Sequence, residues 1–406
     1  MSRISYLAAV LLCALLFSGC AGGRAAAIPE SQMSAYLADK PPRYQDDYRK
    51  LLDEGKNNEC LNYMRIGLKA LKNGDKQVSQ PAFDSALLTI ESFFVNTEAA
   101  QKARSLWYEE GMKDFKGEPY ERVMAYYYRG LLYLDAGDYE NARASFKSAI
   151  LQDAFAEEEQ YRADFALVIL LEGVAARLAG DPEGAAASFA ELKKLRPDFN
   201  VPEHFNTLFV LETGSSPRKV ADGPGHSELK YFRGRNFTEK KAFLRIDGSP
   251  SRQCYALEDI YFQASTRGGR QIDKILKDKV VFRQTNLAMG STLSETASTA
   301  MLFAPLAGNS AGAVQAVAGG LAVIGAVQQV MAINAKPHAD IRFWDNLPDS
   351  VHVDLAQLEP GSHQAEVGAL DQNGAVIGAL SKKVDFTVGP KAGPNKGLRV
   401  VWVKMR

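Results

Sequence analysis

The side chains best able to do chemistry are five histidines and four cysteines, and their spacing matches no known reaction centre. No H-E-x-x-H motif occurs, and no histidine stands at the Cys/His spacing of a zinc site. The Gly-x-Ser-x-Gly elbow is missing, and no cysteine lies in a catalytic signature. The sequence therefore favours a protein that is not an enzyme and that uses no metal and no cofactor. The histidines are His204, His226, His338, His352 and His363.

Cys20 is the one cysteine whose surroundings give it a defined chemistry. A basic start at Arg3 and an apolar run over 6–17 lead to the tetrapeptide Phe17-Ser18-Gly19-Cys20. This resembles a bacterial lipoprotein signal, in which small residues precede a cysteine that becomes lipidated, although Phe17 replaces the usual leucine. The resemblance implies removal of residues 1–19 and acylation of Cys20, with enough acyl chains for stable anchoring. The alternative is an ordinary secretory peptide with an accidental cysteine.

The residue after Cys20 indicates the destination. In Gram-negative lipoproteins a residue other than Asp at this position implies transfer to the outer membrane, and here it is Ala21. The resemblance thus implies a protein anchored in the outer membrane that faces the periplasm. Although that compartment is oxidising, Cys60 and Cys254 lie in different predicted domains. We expect two separately buried thiols there rather than a disulfide.

The overall composition is that of a folded protein with two or three domains. The chain has 406 residues, of which 46% are hydrophobic and 24% charged. It contains 48 Lys plus Arg and 48 Asp plus Glu. Because no net charge attracts an anionic polymer, nucleic acid is not an expected partner.

The stretch from 122 to 197 carries one pattern of small and aromatic residues twice. Each copy contains a Gly-Asp pair, Gly137-Asp138 and Gly180-Asp181, and the aspartate is suited to cap the helix that follows. Pro182 suits the first helical position. The pattern resembles the tetratricopeptide repeat, a helical hairpin of about 34 residues that binds partners. The positions implied to pack the hairpins are Tyr126, Gly130, Tyr133, Ala142, Phe146, Ala149, Gly173, Ala185, Phe189 and Pro197.

A weaker copy precedes these two. It has Gly67, Gly74-Asp75 and Phe83 in the same order, with Ser79 where alanine is usual. The intervals between the marker glycines differ from 34 residues, so extra helix is expected between units. We predict three degenerate repeats over 44–203. The residues beside the second marker glycine, Tyr127, Tyr128 and Arg129, are predicted to face a concave groove that holds a protein segment.

The remaining segments predict a mixed architecture. Residues 20–43 are rich in Ala, Gly and Pro and are expected to form a flexible tether. Residues 204–295 contain strand patterns at 242–246 and 256–262 and a helix pattern at 271–284, which indicates an α+β middle region. Four alternating apolar runs separated by turns predict a small sandwich-like β domain over 336–406.

Residues 296–335 contain no charged side chain and are dominated by Ala and Gly. Three interpretations remain open: a membrane span, a membrane-inserting hairpin, and a helical hairpin that is buried or joins two copies of the chain. Burial or self-association is favoured, because small side chains suit close helix packing and amides interrupt the apolar surface. Those amides belong to Gln315, Gln328, Gln329 and Asn334.

These observations predict a multidomain α+β protein with an N-terminal repeat solenoid. The expected function is a lipid-anchored periplasmic scaffold that binds protein partners of a cell-envelope assembly, by analogy with TPR-containing outer-membrane lipoproteins. The alternative is an envelope component that inserts into the membrane or self-associates through 296–335. An envelope hydrolase is the least favoured hypothesis, since no motif supports one.

Overall fold

A computed structural model describes residues 28–92, 114–154, 164–222, 228–235, 238–266, 340–389 and 397–406. The predicted signal, Cys20, the helix at 271–284 and the Ala/Gly-rich stretch at 296–335 lie outside these residues. Within them the chain is an α+β protein with nine α-helices and ten strands in three sheets. The described residues divide into two compact units, one that ends at Gly55 and one that begins at Lys56.

The first unit contains a pair of short helices, α1 (Glu30–Leu37) and α2 (Gln45–Glu54), joined through a 3-10 turn at Pro42–Tyr44. Arg49 pairs with Glu30 at 3.0 Å, and the Gln45 amide donates to the Leu37 carbonyl at 3.1 Å. These contacts hold α1 against α2, and α1 also has a buried face. The prediction of a flexible tether over 20–43 is therefore wrong from Glu30 onward.

Three helical hairpins form the first part of the second unit. They are α3 (Glu59–Lys72) with α4 (Lys76–Ser92), α5 (Pro119–Asp135) with α6 (Tyr139–Asp153), and α7 (Ala166–Leu178) with α8 (Pro182–Leu195). Each hairpin also contacts the next, since α4 packs on α5 and α6 packs on α7. The extra helix predicted between the repeat units would fall partly on 93–113 and 155–163, which lie outside the described part of the chain.

Within each hairpin a glycine on the first helix faces a phenylalanine on the second. A methyl group at Gly130 would lie 2.4 Å from the ring of Phe146, and one at Gly173 would lie 2.5 Å from Phe189. The corresponding distance from Gly67 to Phe83 is 3.0 Å. Small residues therefore stand where an aromatic ring closes the space between two helices, as the sequence pattern predicted.

The turns of the three hairpins are also alike. Each contains a glycine with φ of +75°, +76° or +87°, and the aspartate after it bonds a backbone N–H at the start of the second helix. The capping predicted for Asp138 and Asp181 is confirmed, at 3.3 Å and 2.8 Å. Ser79, which replaces the usual alanine, is buried and donates to the carbonyl of Gly67 at 2.8 Å. Its hydroxyl is thereby satisfied in an apolar site.

A four-stranded sheet packs against these helices. Its order is β10 (Arg399–Lys404), β1 (Thr207–Thr213), β7 (Ser350–Ala356) and β6 (Tyr255–Asp259), and β1 pairs in parallel with β10 and antiparallel with β7. All seven residues of β1 are buried. Leu208 and Val210 belong to the core shared with the helices, whereas Phe209 and Leu211 belong to a second core.

The second core lies between this sheet and another four-stranded sheet. The second sheet has the order β5 (Arg252–Gln253), β4 (Lys241–Ile246), β8 (Gly361–Leu370) and β9 (Lys382–Val388). Both sheets combine strands from the predicted middle region with strands from 336–406. The C-terminal strands therefore form no domain of their own, and the predicted boundaries after 203 and before 336 do not separate independent cores.

Two smaller elements complete the second unit. A ribbon joins β2 (Arg218–Asp222) to β3 (Glu228–Phe232), and the short helix α9 (Ile260–Ser265) follows β6. The predicted strand at 256–262 is correct only in its first half, because the Asp259 carboxylate accepts from the N–H of Phe262 at 2.9 Å and starts α9. Local capping overrides the β pattern there. Cys60 and Cys254 are buried free thiols, as predicted.

Candidate functional site

The residues predicted to line a groove lie inside the protein. Tyr127 and Tyr128 are 0% exposed, because the first helices of the hairpins turn this face toward β1 and β10. The face of the helices that carries these two residues is covered by the chain's own sheet. The assignment of both tyrosines to a partner-binding groove is therefore wrong.

The two tyrosines instead donate to one carboxylate. The hydroxyls of Tyr127 and Tyr128 lie 3.2 Å and 3.0 Å from the two oxygens of Glu212, on β1. The indole N–H of Trp402 donates to the same carboxylate at 2.9 Å, and the Lys404 ammonium lies 3.5 Å from it. Glu212 has no exposed surface. A buried carboxylate is tolerated here because four donors surround it.

Burial changes the proton affinities in this network. It lowers the pKa of Lys404 to about 8, and the charge of Glu212 opposes that change. Burial, with help from the Glu212 charge, also holds the pKa values of the Tyr127 and Tyr128 hydroxyls well above their ordinary value. Both phenols therefore remain hydrogen-bond donors at neutral pH. The arrangement can position helices on a sheet, and its carboxylate has no exposed surface.

Arg129 is also engaged within the protein. Its Nε atom donates to Asp84 on α4 at 2.6 Å, and its guanidinium lies 3.7 Å from the ring centre of Tyr133. Arg143 on α6 makes the corresponding link to the next hairpin, because it bonds Glu172 at 2.9 Å. Arg129 therefore joins successive hairpins, and the prediction that it faces a partner in the groove is wrong as well.

The other predicted packing positions lie at helix contacts. Tyr126 donates through its hydroxyl to Glu91 on the preceding hairpin at 2.9 Å. Pro197 follows the end of α8. The remaining alanines and aromatics of the pattern occupy buried or half-buried positions in the helical core, namely Tyr133, Ala142, Phe146, Ala149, Ala185 and Phe189.

A second buried carboxylate connects the helices to the segment before β7. Glu121 on α5 accepts from the backbone N–H of Trp344 at 2.6 Å and from that of Glu118 at 2.7 Å. Burial raises the pKa of Glu121. The Trp344 ring is 0% exposed and packs against Phe83 and Tyr128. Trp344 thus packs between the helices and the segment that leads into β7.

Titratable residues elsewhere do not assemble into a reaction centre within the described ranges. No group of three or more His, Cys, Asp or Glu side chains there is arranged to hold a metal ion. His352 lies on β7 and contacts the hydroxyl of Thr213 at 3.1 Å, whereas His363 lies on β8 in the other sheet. In the same residues, no helix has the length and apolar character to cross a membrane.

The surface that remains open on the hairpins belongs to the second helices. Leu88 on α4 is 71% exposed and Leu151 on α6 is 60% exposed. The two leucines follow their marker glycines, Gly67 and Gly130, at the same interval, and Lys194 takes that position in the third hairpin. Sequence reasoning missed this pair, although aligning the repeats would have found it.

Glu212 and Lys404 were missed as well. The only signal for Glu212 was its place at the end of an apolar run in β1, on the same side as Leu208 and Val210.

Comparison of the chain with known protein families, with curated proteins and with solved structures gives no match.

Proposed function

We propose that the protein is a lipid-anchored scaffold of the bacterial cell envelope, with a TPR-like helical stack that binds another protein. The support for the stack is the threefold recurrence of a facing Gly–Phe pair and a Gly-Asp turn with a capping aspartate. Such hairpins bury one another's apolar faces and leave extended surfaces for docking.

We assign the binding surface to the second helices of the hairpins, which we call the outer helices, since the first helices pack on β1 and β10. The observation that carries this assignment is the pair of exposed leucines, Leu88 and Leu151, at equivalent positions of successive hairpins. Small exposed side chains, Pro81 and Ala144, lie two turns before them on the same helix faces. The partner we propose is therefore a protein segment with apolar side chains, for example one face of an amphipathic helix.

A photo-crosslinking amino acid placed at position 88 or 151 in the full-length protein tests this surface in cells. We expect both positions to capture the same partner, because one segment would span both helices. Position 376 serves as the control, since Val376 is 58% exposed but lies in the turn after β8.

Substitution then decides whether the captured contact depends on the leucines. The pair Leu88→Glu and Leu151→Glu should abolish capture from a neighbouring exposed position such as 144, while Val376→Glu should leave it intact. Because all three side chains are exposed, these changes should leave the melting temperature nearly unaltered. Capture that survives the double substitution would refute the outer-helix surface.

Loss of the lipid anchor distinguishes this proposal from membrane insertion through 296–335. Cys20→Ser in a chain whose residues 1–19 are replaced by an ordinary cleavable secretory signal should move the mature protein from the membrane fraction to the soluble fraction after cell disruption, because the acyl chains would be lost. Immunoblotting of both fractions measures the change. A Cys60→Ser variant is the control, since that buried thiol takes no lipid. If Cys20→Ser remained in the membrane fraction after a high-salt wash, the Ala/Gly-rich stretch would become the better explanation.

A further inference from the structure

A depression of about 580 Å³ opens at one end of the space between the two four-stranded sheets. It is lined by residues of β8, β9, β10 and the turn after β4, and its volume is in the range of small-molecule sites. Neither the helical hairpins nor the exposed leucines contribute to it. The depression is thus separate from the surface proposed for a protein partner.

Arg399 reaches the depression because side chains alternate along β10. Val401, Val403 and Met405 face the second sheet, and Arg399 at the start of the strand points to the same side. Its Nε atom is buried and has no hydrogen-bond partner among the described residues. No carboxylate of the described ranges forms an ion pair with it either. An unmade hydrogen bond at a buried charged donor is costly, and a ligand oxygen would supply it.

The two acids that line the depression are already paired. Asp247 accepts from the ring Nδ1 of His363 at 2.7 Å and from the backbone N–H of Gln364 at 2.9 Å. Those two hydrogen bonds hold the pKa of Asp247 below its usual value. Asp385 accepts from the side-chain amide of Gln364 at 2.9 Å. Neither carboxylate is therefore the partner of Arg399.

His363 adds positive charge beside these acids. Its Nδ1 atom faces the Asp247 carboxylate, and its Nε2 atom lies 2.8 Å from the carbonyl oxygen of Glu359. Both neighbours are acceptors, so both ring nitrogens can donate only when the imidazole is protonated. The hydrogen bond to Asp247, followed by that to Glu359, accordingly raises the pKa of His363.

The two hydroxyls at the rim belong to the other face of the second sheet. Ser362 and Thr387 are opposite each other on β8 and β9. Their exposed side chains share the face of Gln364 and Asp385, whereas His363 and Phe386 share the face turned toward the first sheet. The Arg399 guanidinium is thus the charged donor that remains available between the sheets, and a guanidinium suits an oxyanion.

We propose that this depression binds a small ligand through an oxyanion group, a carboxylate or a phosphate, with Arg399 as the charged partner. The guanidinium offers two parallel N–H groups in the geometry that both oxyanions accept. The volume leaves room for the rest of a molecule of moderate size beyond the anionic group.

The test uses the full mature chain and follows the imidazole resonances of His363 by NMR. Inorganic phosphate and N-acetylalanine are titrated separately as the two probes. Binding of either anion should raise the pKa of His363 and should saturate, because a negative charge nearby favours the imidazolium. Saturation with only one probe identifies the oxyanion. If neither probe gives a saturable shift at millimolar concentration, the proposal is overturned.

Arg399→Gln should weaken binding by about tenfold or more, because it removes the charge-assisted bonds. Arg245→Gln is the matched control, since Arg245 lies on β4 of the second sheet, where it pairs with Glu366 at 2.9 Å. Equal affinities for the Arg399 and Arg245 variants would refute the site. If Arg399→Gln fails to fold, Arg399→Lys replaces it, because lysine keeps the charge but lacks the Nε donor. Unchanged affinity in that variant would overturn the assignment of Arg399.

Discussion

Replacing Glu212 with glutamine is expected to lower the free energy of unfolding by about 3–5 kcal/mol, the range seen when one partner of a buried ion pair is removed. The carboxylate accepts from Tyr127, Tyr128 and Trp402 and pairs with Lys404, and the two tyrosines and the lysine are buried. The glutamine amide retains one acceptor oxygen but adds an N–H₂ group next to the ammonium. Urea unfolding followed by circular dichroism measures the change.

Two comparisons isolate the buried charge as the cause. Glu366→Gln removes a carboxylate from a solvent-accessible pair with Arg245, so its effect should stay below about 1 kcal/mol. Adding Lys404→Met to Glu212→Gln should recover part of the lost stability, because the uncompensated ammonium is gone. A loss for Glu212→Gln no larger than that for Glu366→Gln would contradict the role of this network.

The second large effect concerns Glu258 and the pH dependence of stability. This carboxyl group on β6 is buried, accepts from the N–H of Leu167 at the start of α7 at 3.2 Å, and lies 3.7 Å from Arg196. Burial raises its pKa to about 8 from the ordinary 4.5, and Arg196 opposes the rise. The folded protein therefore keeps this proton in a pH range where the unfolded chain has lost it.

The direction in which stability changes with pH follows from proton linkage. Between about pH 4.5 and pH 8 the native state binds more protons at Glu258 than the unfolded state does, so the contribution of this group to stability falls as pH rises. Glu258→Gln removes that dependence. From pH 5 to pH 8, the wild type should lose a few kcal/mol of stability relative to this variant, since one pKa unit corresponds to about 1.4 kcal/mol.

Urea unfolding of both proteins at a series of pH values measures this difference. Asp349, whose pKa burial raises to about 6, and Glu121 act in the same direction in both proteins, so they cancel in the comparison. Parallel stability curves for the two proteins over this pH range would show that Glu258 is ionised in the folded state.

Much of the helical architecture could be predicted because its determinants are local. The Gly-Asp turns, the capping aspartates and the Gly–Phe pairs depend on residues close together in the chain. The same holds for the strand alternation at 351–355 and for the turn at 371–374, where Gly374 has φ of +79°. Periodicity and turn chemistry suffice for such elements.

The groove prediction failed for a reason that lies beyond the repeats. A residue on the inner face of a helical hairpin has the same sequence pattern whether water, a partner or the chain's own sheet covers it. Tyr127 and Tyr128 are covered by β1 and β10, which lie far away in the sequence. The burial of β1 on both faces likewise depends on how strands from two sequence regions pair.

By itself the sequence determined an α+β chain with paired helices, capped turns and alternating strands, because short-range sterics and hydrogen bonding govern those features. Only the tertiary structure decided that the strands of 207–259 and 350–404 share two sheets, and that Glu212 meets Lys404 beneath the helices. It also decided that Arg399 and His363 meet at one opening. Contacts between distant segments depend on which buried surfaces fit each other, and no local pattern records that fit.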